Sequence, residues 1–291
     1  MKTSDIAELF LLAALWGGSF LFMRIAAPVL GPVWLIECRV LLAGLVLLPL
    51  LARQANLSKL RQYLWPLIIV GGINSAIPFS LLAFATVSLP AGFTSILNAT
   101  APLFGTVVAM LWLKEELTVT RIAGFISAFV GVVVLVGWKQ FEATPAFLTA
   151  VIAALGAALA YAIAAPYVKK KLSGVSPLVV ATGSQLGAAA VLFPALPFTV
   201  PEATPSAGVV GAVIALAIAS TAFAYILYFR LIQNIGSTRA LTVTYLVPIF
   251  AVLWGTLILA EPITPAMMLG GGLVLLGTAI ANDLFTRDKP V

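Results

Sequence analysis

The side chains that could do chemistry in this chain are few, and most lie inside long apolar runs. Trp16 and Ser19 stand in the first run and Asn74, Ser75 and Phe79 in the third. Thr94 and Asn98 stand in the fourth and Tyr161 in the sixth. Thr221 and Tyr225 stand in the eighth, and Thr244 and Tyr245 in the ninth. Amides, hydroxyls and aromatic faces bind a solute by hydrogen bonding and stacking, but they do not make a nucleophile and base. The chain has no His, so an imidazole base and an imidazole metal ligand are both missing. Cys38 is the one cysteine, so neither an intrachain disulfide nor a thiolate cluster can form. No phosphate-binding glycine loop with its Lys is present, so ATP hydrolysis is not expected. No catalytic residue, metal or cofactor is expected, and the chain is not read as an enzyme.

Each polar residue at bilayer depth is costly and therefore a functional candidate, although Ser, Thr and Asn also serve to bond neighbouring helices. Glu37 and Arg39 are two apart, so on one helix they diverge by about 200° and do not pair with each other. Arg39 could meet a carboxylate of a solute or of the protein, and both residues are read as structural charges. Glu115 and Glu261 follow the fourth and ninth runs and are read as structural too, each capping the helix after it. Pro102 and Pro248 remove a backbone donor in mid-run and free the carbonyls of Asn98 and Thr244. They are read as kinks or hinges, as is Pro78.

The elements that must position these groups follow from composition. Hydrophobic residues make up 62% of the 291 and charged residues 9%, far below the roughly one quarter of a soluble domain. Lipid must therefore solvate most of the surface. About 20 apolar residues span the hydrocarbon as a helix. Ten such runs lie near 6–27, 32–52, 64–86, 91–113, 119–138, 146–168, 176–196, 206–232, 238–259 and 265–285. The expected fold is an all-α multi-pass membrane protein of ten spans. The first run passes straight into the body of the chain, so no cleavable leader is expected.

With the N-terminus inside, thirteen of the sixteen Lys and Arg fall on inside segments, and the outside connections hold Lys139, with Arg24 at an outer helix end. Both termini are therefore expected in the cytoplasm. The net charge of +6 reads as this bias rather than as a nucleic-acid footprint.

The chain also repeats itself. A shift of 146 places Pro102 on Pro248, Glu115 on Glu261, Thr118 on Thr264, Gly124 on Gly270 and Gly131 on Gly277. It also pairs Asn74 with Ser220, Ser75 with Thr221, Phe79 with Tyr225 and Asn98 with Thr244. Two halves are expected, 1–141 and 142–291, with five spans each. An odd number of spans inverts the second half, and matching loops carry opposite charge bias as that requires. Inverted repeats around a central site are the architecture of alternating-access carriers.

These residues resemble the EamA-type members of the drug/metabolite transporter superfamily. The resemblance lies in Leu15-Trp16-Gly17-Gly18-Ser19, in Arg39, in the Pro of spans four and nine, and in the tail Leu113, Glu115, Leu117, Thr118, Gly124 with its copy Leu259, Glu261, Ile263, Thr264, Gly270. It covers essentially the whole chain. It implies a ten-helix carrier of the bacterial inner membrane that moves small organic metabolites, often outward, and the chain looks closest to bacterial amino-acid exporters.

Spans three, four, eight and nine are expected to line a central cavity, with Trp16 and Tyr161 added. Aromatic faces with amides and hydroxyls suit a neutral or zwitterionic amphipathic solute, amino acids with apolar or aromatic side chains above all. They suit sugar phosphates less, because those require clustered cations. Another metabolite or drug-like solute, and a membrane sensor without transport, remain open. The expected partners are the small solute and the bilayer. The oligomeric state is open, a monomer being one reading.

Overall fold

The computed structural model describes residues 2–54, 57–113, 118–137 and 144–282. Glu115, read from the sequence as a structural charge, lies outside the described residues. All described regular structure is helical, without a strand. The main helices are α1 (Thr3–Arg53), α2 (Leu64–Ser88), α3 (Ala91–Val108), α4 (Val119–Gly137), α5 (Pro145–Lys171), α6 (Pro177–Phe198), α7 (Ala207–Ile235) and α8 (Arg239–Leu259). All eight are long and apolar enough to cross a membrane, and α9 (Pro265–Ala281) is a shorter apolar helix.

At 51 residues, α1 would measure about 76 Å if straight, more than twice the hydrocarbon thickness. It is not straight. At Gly31 the backbone leaves the helical region (φ 72°, ψ 156°), a conformation that a side chain would strain. The segment is thus two helices joined at one residue, and Pro32 restarts the second.

Helix starts carry local signals. Thr144 accepts from the Phe147 amide at 3.2 Å and Ser206 from the Val209 amide at 3.4 Å. Thr118 and Thr264, equivalent under the repeat, do the same for Arg121 and Met267. Each satisfies a backbone donor that the helix cannot.

Packing relies on close backbone approach, because lipid tails leave little hydrophobic gain between helices. Gly17 of α1 meets the Phe250–Ala251 backbone of α8, and a Cβ there would lie 2.7 Å from Phe250 Cβ. Gly71 of α2 abuts Ser184 and Ala188 of α6, and Gly92 of α3 abuts Val252 of α8. α4 packs against α9 through Gly124, Gly131, Gly270 and Gly277. The outward face of α4 is apolar, with Ile126, Phe129 and Val133 exposed. That is the surface lipid would cover.

Two short π-helical segments interrupt the bundle, Gly72–Ala76 in α2 and Ile218–Phe223 in α7. They begin 146 residues apart and so occupy equivalent places in the two halves. Pro78 follows the first, whereas Ala224 holds its place after the second. The second distortion thus forms without a proline at that position. Pro102 follows a break at Ala99–Thr100, where α3 restarts. Pro248, by contrast, lies inside the unbroken helix Val243–Leu259, so the second copy is not interrupted there as the sequence suggested.

Candidate functional site

A cavity of about 660 Å³ lies between α1, α2, α3, α5, α7 and α8. Of the residues singled out from the sequence, Trp16, Ser19, Asn74, Phe79, Asn98, Tyr161, Tyr225, Thr244 and Tyr245 line it. Pro102 and Pro248 line it too.

Three candidates turn elsewhere, and the expectation for them is corrected. The Ser75 hydroxyl accepts from Gln185 Nε2 of α6 at 3.1 Å. The Thr94 hydroxyl donates back to the Pro90 carbonyl at 3.1 Å. The Thr221 hydroxyl donates to the Leu216 carbonyl at 2.8 Å and accepts from Arg39. All three are buried. For Ser75 and Thr221 the cause is the π segment in which each sits. It adds about one residue to the turn and so rotates the remainder of the helix by roughly 100°.

Ser95, Ser220, Tyr228 and Thr242, polar residues inside the spans that the sequence also offers as candidates but outside its chosen cavity set, line the cavity too, and Asn282 is a lining residue that the sequence reading missed. Ser220 carried a signal, being the repeat counterpart of Asn74. Arg39, read from the sequence as a structural charge, also reaches the cavity. It is 4% exposed and lines the cavity. Its Nε donates to Thr221 Oγ1 at 2.9 Å, and its guanidinium carbon lies 3.7 Å above the Phe79 ring centroid. Phe79 meets Tyr161 edge-on at 6.3 Å, Trp16 meets Tyr228 at 5.2 Å, and Tyr225 stacks on Phe229 at 5.9 Å.

Several lining groups have hydrogen-bonding capacity that the protein does not use. Ser19 Oγ, Ser95 Oγ, Asn98 Oδ1 and Ser220 Oγ are buried, and none bonds to another described residue. A buried polar atom left unpaired costs about 1–3 kcal/mol, so groups aimed into a cavity in this way suit a polar occupant. Among the described residues, none that lines the cavity is Asp or Glu.

The lining reaches Ala165, Leu241, Thr242 and Asn282, next to the helix ends that carry Lys169–Lys171 and Arg239. Leu241 is half exposed. At the other end, Leu82, Leu89 and Phe93 are buried. A polar clamp lies beyond them. Arg24 Nη1 donates to the Thr86 and Val87 carbonyls, both at 2.7 Å, and its Nε pairs with Glu261 Oε1 at 3.3 Å. Glu261 Oε2 accepts from the Ala91 amide at 2.9 Å. Glu261 was expected to cap its own following helix. Thr264 does that instead, and Glu261 caps α3 from the opposite half of the chain. The turn at Ala260 (φ 54°) directs it there. Burial holds its carboxyl above the usual carboxylate range, against the pull of the Ala91 amide and Arg24. At the far end of the bundle, Glu8 pairs with Arg230 at 3.0 Å.

The comparisons with known proteins agree with this architecture. An "Uncharacterized transporter" of Archaeoglobus fulgidus is 25% identical over 94% of this chain and 96% of its own length. Protein PecM of Dickeya dadantii is 26% identical over 100% and 96%. A "Probable terminal-alkyne amino-acid exporter" of Streptantibioticus cattleyicolor is 26% identical over 97% and 95%. A solved crystal structure superposes with a TM-score of 0.67 at 22% identity, covering 98% of both chains, and so shares the fold. The model of the EamA-like transporter family matches twice, over residues 6–137 and 148–282. With both halves matched and an all-helical bundle around one cavity, this chain is a multi-pass membrane protein that belongs to the EamA-like transporter family.

Proposed function

We propose that the protein is a secondary carrier that moves small organic metabolites, amino acids with apolar or aromatic side chains foremost, outward across the bacterial inner membrane. One observation carries the reading: the cavity combines aromatic walls with buried, unpaired hydroxyl and amide atoms and, among the described residues, no carboxylate. Its volume lies within the roughly 300–1,000 Å³ of small-molecule sites. The aromatic faces suit an apolar side chain, and the polar atoms suit an ammonium and a carboxylate. That one relative is named an amino-acid exporter supports the same class.

The mechanism proposed is alternating access by an inverted pair of five-helix repeats, with ten membrane crossings and both termini in the cytoplasm. α4 and α9 are equivalent under the repeat and pack antiparallel, as inversion requires. In this frame the cavity reaches the basic, cytoplasmic end, and the Arg24–Glu261 clamp shuts the outer end. Solute would enter from inside, and reversal of the clamp would release it outside.

Purified protein in proteoliposomes tests the reading. Counterflow of labelled amino acids should saturate and should be inhibited by unlabelled ones. Flux equal to that of empty liposomes for every amino acid tried would remove the amino-acid assignment. Conductance without saturation would replace the carrier by a pore.

A further inference from the structure

We infer that Arg39 is the anchor for the carboxylate of the transported solute, which rests on the reading of the cavity as a transport site and names the group that the site selects. The first observation is the charge itself. Arg39 is a buried cation in the apolar segment of α1 that follows Gly31, and an unpaired cation at bilayer depth is costly. Such a cation is normally matched by a protein carboxylate. Among the described residues no Asp or Glu pairs with it. Glu37 is two positions away on the same helix, about 200° around it.

The second observation separates the charge from the bond that ties the helices. A shift of 146 places Arg39 on Gln185, and Thr221 on Ser75. The same cross-helix bond is made in both copies: Arg39 Nε to Thr221 Oγ1 at 2.9 Å, and Gln185 Nε2 to Ser75 Oγ at 3.1 Å. Gln185 ties the helices with a neutral amide and does not line the cavity. The bond therefore does not need a cation. The charge is present in the one copy where the side chain reaches the cavity wall.

The third observation is posture. Nε is engaged by Thr221, and Phe79 supports the guanidinium from one face, while Nη1 touches only the thioether of Met23 at 3.9 Å. A planar guanidinium held in this way keeps strong donors for a two-oxygen acceptor. A carboxylate fits that edge, and a single cation is enough for one. A phosphate dianion would leave charge unmatched, since among the described residues no other Lys or Arg lines the cavity. The solute class is thus a monocarboxylate, zwitterionic where an ammonium meets the Asn98 and serine oxygens.

Competition in wild-type proteoliposomes tests this without any variant. Uptake of labelled L-phenylalanine is challenged with unlabelled L-phenylalanine, with L-phenylalaninamide, which keeps ring and ammonium but lacks the carboxylate, and with 3-phenylpropionate, which keeps the carboxylate. The amide should compete roughly tenfold more weakly than the acid, since it loses the charge-assisted pair with the guanidinium, and 3-phenylpropionate should compete measurably. In R39Q, uptake should fall by a similar factor and the gap between acid and amide should close to about twofold, while R39K keeps part of it. If the wild type carries phenylalanine and the amide competes as well as the acid, the anchor is overturned and the carrier reading stands. If the wild type carries no amino acid at all, the proposed function falls and the anchor with it. Should R39Q not assemble in the membrane, the wild-type comparison alone decides.

Discussion

Gly124 and Gly277 face each other across the antiparallel contact of α4 and α9, so closely that a Cβ on Gly124 would lie 2.6 Å from the Gly277 carbonyl oxygen. Gly131 and Gly270 repeat the arrangement one step along, at 2.7 Å. The shift of 146 exchanges the two pairs: Gly124 becomes Gly270 and Gly131 becomes Gly277. Midway between them, the Ser127 hydroxyl donates to the Leu273 carbonyl at 3.3 Å, and those two positions are each other's counterparts. A pseudo-two-fold axis therefore passes through this contact. The duplicated glycines are what let the two copies touch along it.

A side chain at this contact must push α4 and α9 apart. Gly124→Val should lower stability by about 1–3 kcal/mol, the usual cost of overpacking a tight contact. Gly272→Ala on α9, where an added Cβ meets nothing within 4 Å, should change it by less than about 0.5 kcal/mol. Thermal melting in detergent compares them, and equal melting temperatures for the two variants would remove the packing role.

The closed end of the cavity hangs on Glu261, which joins Arg24 of one half and the Ala91 amide of α3. Glu261→Gln should weaken this clamp and let that end open more often. In a Cys38→Ala background, a cysteine placed at Leu89, which is fully buried, reports it. Its labelling by a membrane-impermeant maleimide should rise roughly tenfold, the factor for losing about 1.4 kcal/mol of closure. Unchanged labelling would mean that the apolar plug alone closes the end.

Cavity lining and helix bonding are separable by mutation. Trp16→Ala and Asn98→Ala should each cut amino-acid flux roughly tenfold with unchanged protein in the membrane, because each removes a face or an unpaired atom from the lining. Thr94→Ala should keep near wild-type flux, since that hydroxyl is occupied by Pro90 behind the wall. Flux measured per amount of reconstituted protein decides it. A loss with Thr94→Ala and none with Asn98→Ala would overturn the assignment.

Gln185 and Arg39 make equivalent bonds but should behave differently. Gln185→Leu removes the Gln185–Ser75 bond and should cost about 1 kcal/mol of stability, while the preference for acid over amide solutes stays as in the wild type. A change in that preference with Gln185→Leu would show that the tie between helices, not the cation, sets selectivity.

The amino-acid sequence by itself determined the class, the duplication and the family. Those depend on sums over many residues: apolar content, run length, and Gly, Pro and Glu recurring at one shift. It also determined most of the aromatic lining, since Trp16, Phe79, Tyr161 and Tyr225 are large and sit deep. Only the tertiary structure decided where the small polar groups point. Ser75, Thr94 and Thr221 look like Ser19, Ser95 and Ser220 in sequence, yet the first three bond inside the wall and the last three face the cavity. A straight 3.6-residue periodicity assigns faces correctly until a π segment rotates the helix, and both such segments lie at the site. Arg39 was hidden for a related reason. A buried cation's partner is set by which helices meet around it, and that is a property of the assembled bundle rather than of any one span.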